Sequence, residues 1–444
     1  MKPSLFLFEW CRLKISWLRY LLMASRDHHH TKKSNNLSFS CYLSFLFLSV
    51  LCLASLLLLS SAFRGSTTVS SFSSKDENAL ELKRKDSSQK EKSYMCNYSD
   101  GMWIYDPAMR YTRYDNTCKE IFKGWNCISS NKSNAQDIIK WYWQPKSCDL
   151  PQFDPVKFLE HFRNANIGFV GDSLNRNMFA SMVCTLKRAS SEVKKWRPAG
   201  ADRGFTFLRY NLTVAYHRTN LLARYGRWVA SANGGALESR GYKQGFRVDV
   251  DVPESSWAEA LIFHNVLIFN TGHWWWAPSK FDPIKSPMLF FEKGLPVMPP
   301  ISPEAGLDMV LKHMIPFVER RTPSHAIKFF RTQSPRHFEG GDWDQGGSCQ
   351  RVQPLLPDQV EQLFCLERNG TNVEVRLVNQ HLFRALKRSS FHILDITRMS
   401  EFRADAHPST AGGKKHDDCM HWCLPGITDS WNDLLVAHIS DILN

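Results

Sequence analysis

Hydrophobic positions along this chain first gather into one long run and only later break into short, regularly interrupted segments. From Leu37 to Phe63 there is no charged side chain, and Leu, Phe, Ser, Cys and Val dominate. A helix over that run is long enough to cross a hydrocarbon layer of about 30 Å. It begins too far from the N-terminus and runs too long for the apolar region of a cleaved signal peptide. A retained transmembrane signal-anchor is therefore expected, with cleavage after the run or a soluble core helix as alternatives. Lys2, Arg12, Lys14, Arg19, Arg26, Lys32 and Lys33 precede it, against only Glu9 and Asp27. That excess leaves residues 1–36 as a cytosolic tail and sends the C-terminal portion to the lumenal side. Residues 64–93 are Ser-rich and then Lys/Glu-rich without an apolar period, which predicts a flexible stem.

Beyond the stem, residues 94–152 hold Trp103, Trp125, Trp141 and Trp143 among turn residues and cysteines, too many large aromatics for a linker. A compact, disulfide-tied module is expected there, packed on a catalytic domain over residues 153–444. In that domain Asn166–Asp172 reads as a buried strand ending in a tight turn, with a helix from Ser173 to Leu186. Phe205–Tyr216 reads as an extended segment or hairpin, and Ala260–Phe269 as a hydrophobic central strand. Glu304–Glu319, Val375–Leu386 and Asp429–Ile442 read as helices, and Ala326–Arg331 and Phe391–Ile396 as strands. Short apolar strands separated by long helices need crossover connections, so the fold class is α/β with a largely parallel sheet.

Composition adds three constraints. With 444 residues, 43% of them hydrophobic, the chain can bury a large core. The formal charge of +13 invites a nucleic-acid partner, but much of it lies before the anchor, and no zinc-finger, basic-zipper or RNA-binding signature is present. No nucleic acid is expected, and no oligomeric state is assigned. Of the 12 cysteines, Cys96, Cys118, Cys127, Cys148, Cys184, Cys349, Cys365, Cys419 and Cys423 follow the anchor. In an oxidising lumen these are disulfide candidates whose connectivity stays open, and their odd number leaves at least one thiol unpaired within the chain. Sequons at Asn97, Asn131, Asn211 and Asn369 all lie on the lumenal side as glycosylation candidates.

The chemistry concentrates in two places. Gly171-Asp172-Ser173 sits where a strand turns into a helix, so the Ser173 hydroxyl stands near unpaired helix amides that can stabilise an oxyanion. The triplet alone suits a helix cap better than a nucleophile. Near the end, His416-Asp417-Asp418-Cys419-Met420-His421-Trp422-Cys423 adds an acid and an imidazole three positions apart. Asp418 can orient His421, and His421 can take the Ser173 proton and return it to a leaving group. Asp417 is an alternative orienting acid, and a metal held by His416, Asp417, Asp418 and His421 is the competing use; no metal is assigned.

The stretch Gly171-Asp172-Ser173-Leu174-Asn175-Arg176-Asn177, together with Asp418-Cys419-Met420-His421-Trp422-Cys423-Leu424-Pro425-Gly426, resembles the plant trichome-birefringence-like polysaccharide O-acetyltransferase family. In that family a cysteine-rich N-terminal domain precedes a PC-esterase domain, and here residues 96–444 carry the likeness. The resemblance implies an SGNH-like three-layer α/β/α fold and a single-pass type II Golgi membrane protein that acetylates a cell-wall glycan, with a carbohydrate O-acetylesterase using the same triad or a noncatalytic glycan-binding protein as alternatives. It places the serine nucleophile on Ser173 and the Asp-x-x-His pair on Asp418 and His421. It also implies an oxyanion asparagine, for which Asn270, after the strand Leu261–Phe269, is the candidate, closing a turn being the alternative. Asn175 and Arg176 are expected to shape the pocket, and His273, Trp274 and Trp275 to meet sugar, although core packing uses the same residues. No permanently bound cofactor is expected. Acetyl-CoA is the donor that family chemistry implies, with no feature here that marks a CoA pocket.

Overall fold

The computed structural model describes residues 96–109, 113–276, 280–367 and 370–443. Among the described residues no helix is long and apolar enough to cross a membrane; the expected anchor over 37–63, the stem and Asn369 lie outside them.

Strands β1 (Gly101–Tyr105) and β2 (Trp141–Pro145) pair as an antiparallel ribbon in the N-terminal module. The main sheet draws on β3 (Asn166–Gly171), β4 (Val193–Trp196), β5 (Arg203–Phe207) and β6 (Leu212–Arg218), then β9 (Val266–Phe269), β12 (Ile327–Arg331) and β13 (His392–Leu394). Its order is β13-β12-β9-β3-β6-β5-β4; the run from β13 to β6 is parallel, and β5 and β4 close one edge antiparallel.

The two-residue alternation of the central strands sorts side chains onto two faces. Ile167, Phe169, Val214, Tyr216, Ile268 and Phe329 meet the helices Ser173–Ala189 and Ile427–Leu443. Val170, Leu267, Phe269 and Phe330 meet the helices Pro303–Arg321 and Glu374–Leu386. Helices on both faces of a mostly parallel sheet are the expected α/β/α layering.

Two sequence expectations need correction. The apolar run Ala260–Phe269 is not one strand: Ala260–Ile262 is a 3₁₀ turn, and β9 starts only at Val266. Asn265 sets that start by exchanging bonds of 2.8 Å with the Asn166 backbone, its side-chain oxygen accepting from the Asn166 amide. A second sheet was not anticipated: β7 (Ala223–Val229), β8 (Gln244–Pro253), β10 (Met288–Glu292) and β11 (Leu295–Pro296), in the order β11-β10-β8-β7.

Four disulfides link Cys96 to Cys148, Cys118 to Cys184, Cys127 to Cys423 and Cys349 to Cys419, leaving Cys365 as the free thiol among the described residues. The second and third stitch the N-terminal module to the catalytic domain, and residues 91–444 form one compact unit. Asn97, Asn131 and Asn211 are exposed.

Candidate active site

Strand β3 is central and buried, so its carboxyl end lies among the loops that leave β9 and β12, the crevice where open parallel sheets present chemistry. The turn into the helix is tight. Gly171 has φ +154°, and a Cβ there would fall 1.9 Å from the Asn270 side-chain oxygen, so only glycine fits. Asp172 caps the helix by accepting from the Leu174 amide at 2.9 Å. Ser173 follows as the first helical residue, half-buried, at the positive end of the helix dipole.

Ser173 Oγ lies 2.8 Å from His421 Nε2. On the other side of the ring, His421 Nδ1 is 3.0 Å from both Asp418 oxygens, and the His421 main-chain amide donates to Asp418 Oδ1 at 3.0 Å. These distances are those of a nucleophile, a base and an orienting acid in contact. Burial pushes the Asp418 carboxyl up, but the His421 imidazole and the Lys414 ammonium outweigh it and hold the group well below the usual carboxylate range. Asp417 points elsewhere, accepting from the Cys349 amide at 3.1 Å and from the Gln350 side chain. The geometry therefore selects Asp418 as the partner of His421.

The other candidates divide. Asn270 reaches the nucleophile turn, but both of its polar atoms engage Asp172: Oδ1 accepts from the Asp172 amide at 3.2 Å, and Nδ2 donates to Asp172 Oδ1 at 2.9 Å. The side chain is wholly buried and positions the helix cap, with one of its two Nδ2 hydrogens given to Asp172. Asn175 is also wholly buried, donating to the Val170 and Ile268 carbonyls and accepting from Arg331 Nε at 3.1 Å. It pins β3 to β9 rather than meeting substrate. Arg176 lies over the rings of Trp125 and Phe122, at 5.3 and 5.5 Å from their centroids.

His273 follows the end of β9, with burial holding it well below its usual range and its Nε2 without a partner. Trp275 is no sugar platform: it is 2% exposed, donates to Thr271 Oγ1 and stacks on Phe290. Trp274 is half-buried, with the Lys280 ammonium 4.2 Å from its ring centroid. Lys187 and Arg188, in the last turn of the Ser173–Ala189 helix, and Lys195 on β4 face the N-terminal module: Lys187 and Lys195 pair with Glu120, and Arg188 with Asp115.

Residues 150–438 match the model of the GDSL/SGNH-like acyl-esterase family found in Pmr5 and Cas1p, and residues 94–149 match the PMR5 N-terminal domain. Trichome birefringence-like 13 of Arabidopsis thaliana is 65% identical over 396 residues, 89% of this chain and 96% of that protein. This chain belongs to the trichome birefringence-like family. Trichome birefringence-like 12 of the same plant is 43% identical over 78% of this chain and 85% of its own. Xyloglucan O-acetyltransferase 2, also from Arabidopsis thaliana, is 30% identical over 78% of this chain and 83% of its own.

As in the family pattern, the PMR5 N-terminal domain precedes the esterase domain, and its place at the site was not foreseen. Trp125 lays its ring against His421, with centroids 5.1 Å apart and planes inclined by 31°. The Leu424 amide donates to the Trp125 carbonyl at 2.8 Å, and Cys127 is bonded to Cys423. From the nucleophile helix, Asn177 exchanges two bonds with the Trp422 backbone, accepting at 3.0 Å and donating at 3.2 Å. His407 stacks on Trp422 and donates from Nδ1 to the His421 carbonyl at 2.7 Å. The one available signal was Asn177, inside the Gly-Asp-Ser stretch itself. Trp125, His407 and Lys414 carry no local signal of their roles.

Proposed function

We propose that this chain transfers acetyl groups to hydroxyls of a plant cell-wall polysaccharide through an acetyl-Ser173 intermediate. The observation that carries the reading is the contact of Ser173 Oγ with His421 Nε2, backed by Asp418, in a family that includes relatives named as xyloglucan O-acetyltransferases. In the first step Ser173 Oγ attacks the carbonyl carbon of the acetyl donor while His421 takes its proton and passes it to the leaving group. In the second step a sugar hydroxyl attacks the acetyl-serine; His421 takes the hydroxyl proton and returns it to the departing Ser173 oxygen. Asp418 keeps Nδ1 protonated and steadies the imidazolium. Amides at the start of the Ser173–Ala189 helix supply the positive end for the oxyanion. The donor is proposed to be acetyl-CoA, and the setting a Golgi membrane with the catalytic domain lumenal.

The test is a panel of labelled acetyl donors and wall glycans (xylan, xyloglucan, mannan and pectin) with the purified full chain, reading acetylated glycan and free acetate separately. Label on glycan, lost by at least about 10⁴-fold in Ser173→Ala, supports the proposal. Free acetate with no labelled glycan makes the protein an esterase, water replacing the sugar in the second step. Undiminished turnover in Ser173→Ala removes Ser173 as nucleophile.

A further inference from the structure

We propose that Lys414 is a positioning member of the relay, drawing charge from Asp418 so that His421 holds an added proton less tightly and works as a base in more acidic surroundings. The inference rests on reading Ser173, His421 and Asp418 as an acyl-transfer relay. Asp418 Oδ2 is shared: His421 Nδ1 approaches it from one side, and the Lys414 ammonium is bonded to it from the other. Side-chain exposure is 26% for Lys414 and 11% for Asp418, so the pair is shielded more than a surface ion pair. A carboxylate that faces only an imidazole gives its whole field to the imidazolium. One that also neutralises an ammonium gives less, and that ammonium repels the imidazolium directly.

The place of Lys414 is built rather than incidental. Gly412 and Gly413, each with φ +75°, turn the loop ahead of it, and the Lys414 amide donates to the Thr410 carbonyl. Its stem lies against Gly124 of the N-terminal domain, where an added Cβ would come 2.5 Å from Lys414 Cε. Other charged and titratable groups face the relay from each element packed around it. His416 and Asp417 share its loop, the former exposed and the latter bound to Cys349 and Gln350. Lys132, from the N-terminal domain, acts on Asp417 and His407. His407 meets the His421 carbonyl, and His273, which follows β9, has Arg331 at the end of β12 and Arg336 in the loop beyond it nearby. Among the described residues, Lys414 and His421 are the two titratable side chains bonded to the Asp418 carboxylate.

The experiment uses the full chain. With ¹³C-labelled histidine and the His421 signal assigned by its loss in His421→Gln, the imidazole is titrated by NMR in Ser173→Ala, alone and combined with Lys414→Gln or Lys414→Arg. Lys414→Gln is expected to raise the His421 midpoint by on the order of one pH unit, and Lys414→Arg to keep it near its starting value. With Ser173 restored, the acid limb of kcat/KM for p-nitrophenyl acetate should move up by the same amount in Lys414→Gln, while the plateau changes less than about threefold. An unmoved midpoint in Lys414→Gln, the same shift in Lys414→Arg, or a uniform loss at every pH overturns the proposal. The titration does not depend on which acceptor takes the acetyl group. A shifted midpoint in a chain without turnover therefore counts against the proposed function and leaves the Lys414 assignment standing.

Discussion

Ser173 and His421 stand in hydrogen-bond contact, yet the two sides of that contact are built by opposite means. Ser173 is delivered by regular structure: a central strand buried on both faces, a turn only Gly171 can make, an Asp172 cap and a long helix. His421 lies between Ser409 and Gly426, where the only pairing is the bridge of Ser409 with Asp418. Ties from distant parts of the chain set its place. Cys349 holds Cys419, Cys127 holds Cys423 across 296 residues of sequence, Asn177 holds the Trp422 backbone, and Trp125 closes over the ring. One half of the site is a property of hydrophobic patterning, and the other a property of long-range cross-links. The N-terminal domain therefore belongs to the framework of the candidate site, since Trp125 and Cys127 both come from it.

The sharpest way to break this contrast is to cut the two interdomain disulfides separately. Removing Cys127–Cys423 as Cys127→Ala/Cys423→Ala should lower kcat about 10²-fold, because a displacement near 1 Å at a reacting group costs that much. It should also lower stability by about 2–4 kcal/mol. Removing Cys118–Cys184 frees the same domain from the interior of the nucleophile helix, far along it from Ser173. A similar stability loss is expected there, with kcat changed less than about threefold, since the His421 loop keeps its clamp. Denaturant titration and single-turnover kinetics on both variants read the two effects. Equal loss of kcat in both would mean that the clamp acts through global stability alone.

A smaller effect is expected where the two halves are joined without a covalent bond. Asn177 is wholly buried on the helix behind Ser173, and both of its bonds go to the Trp422 backbone. Asn177→Ala leaves that amide and carbonyl unpaired, at a cost of about 1–3 kcal/mol, and should lower kcat about tenfold by loosening the next residue, His421. Asn177→Asp keeps an acceptor for the Trp422 amide but sets a buried carboxylate oxygen against the Trp422 carbonyl, and should lose at least as much as Asn177→Ala. If both variants keep full kcat, the disulfides alone hold the loop.

The same division explains what could be read from the chain before its structure was known. The strand Asn166–Gly171, its helix and the helices Pro303–Arg321 and Glu374–Leu386 follow from local apolar periodicity, and each was anticipated within a few residues. Asp418 and His421 were legible because they lie three positions apart. The β7–β8–β10 sheet was not, because along β7 and β8 exposed and buried residues mix without a clean two-residue alternation. Asn175 and Trp275 were read as pocket residues because polar and aromatic side chains near a nucleophile suit a ligand. Their burial shows that they fasten strands and fill the core. Lys414 was passed over because a charge beside an acid is ordinary in a sequence, and its meaning comes from Gly124 behind it.

The smallest effect on catalysis is expected from a buried pair beneath the nucleophile strand, although its effect on stability is large. His217, on β6, donates from Nδ1 to the Ser256 carbonyl at 3.0 Å, so its Nε2 must accept from His264 Nε2, 2.9 Å away. A further proton on His217 Nε2 would set N–H against N–H. Gly168 of β3 lies over His264, where an added Cβ would come 2.7 Å from Cδ2, so the pair is packed directly on that strand. Burial pushes His217 down to about 4 and His264 well below its usual 6.5. Unfolded chains take up protons at both rings as pH falls through 6.5, while the folded protein refuses one at His217 until about 4. Stability contributed by His217 is thus fully present above 6.5 and lost as pH falls towards 4, by on the order of 3 kcal/mol. Urea midpoints measured from pH 7 to pH 4.5 should drop steeply in the native chain. His217→Gln should be less stable at pH 7 but fall less over the same window, with kcat at pH 7 within about twofold of native, since neither ring touches the His421 loop. An equally steep acid fall in His217→Gln would shift the sensitivity to the buried histidines His337 and His407, which lie on the other side of this comparison, beside the cross-linked loop.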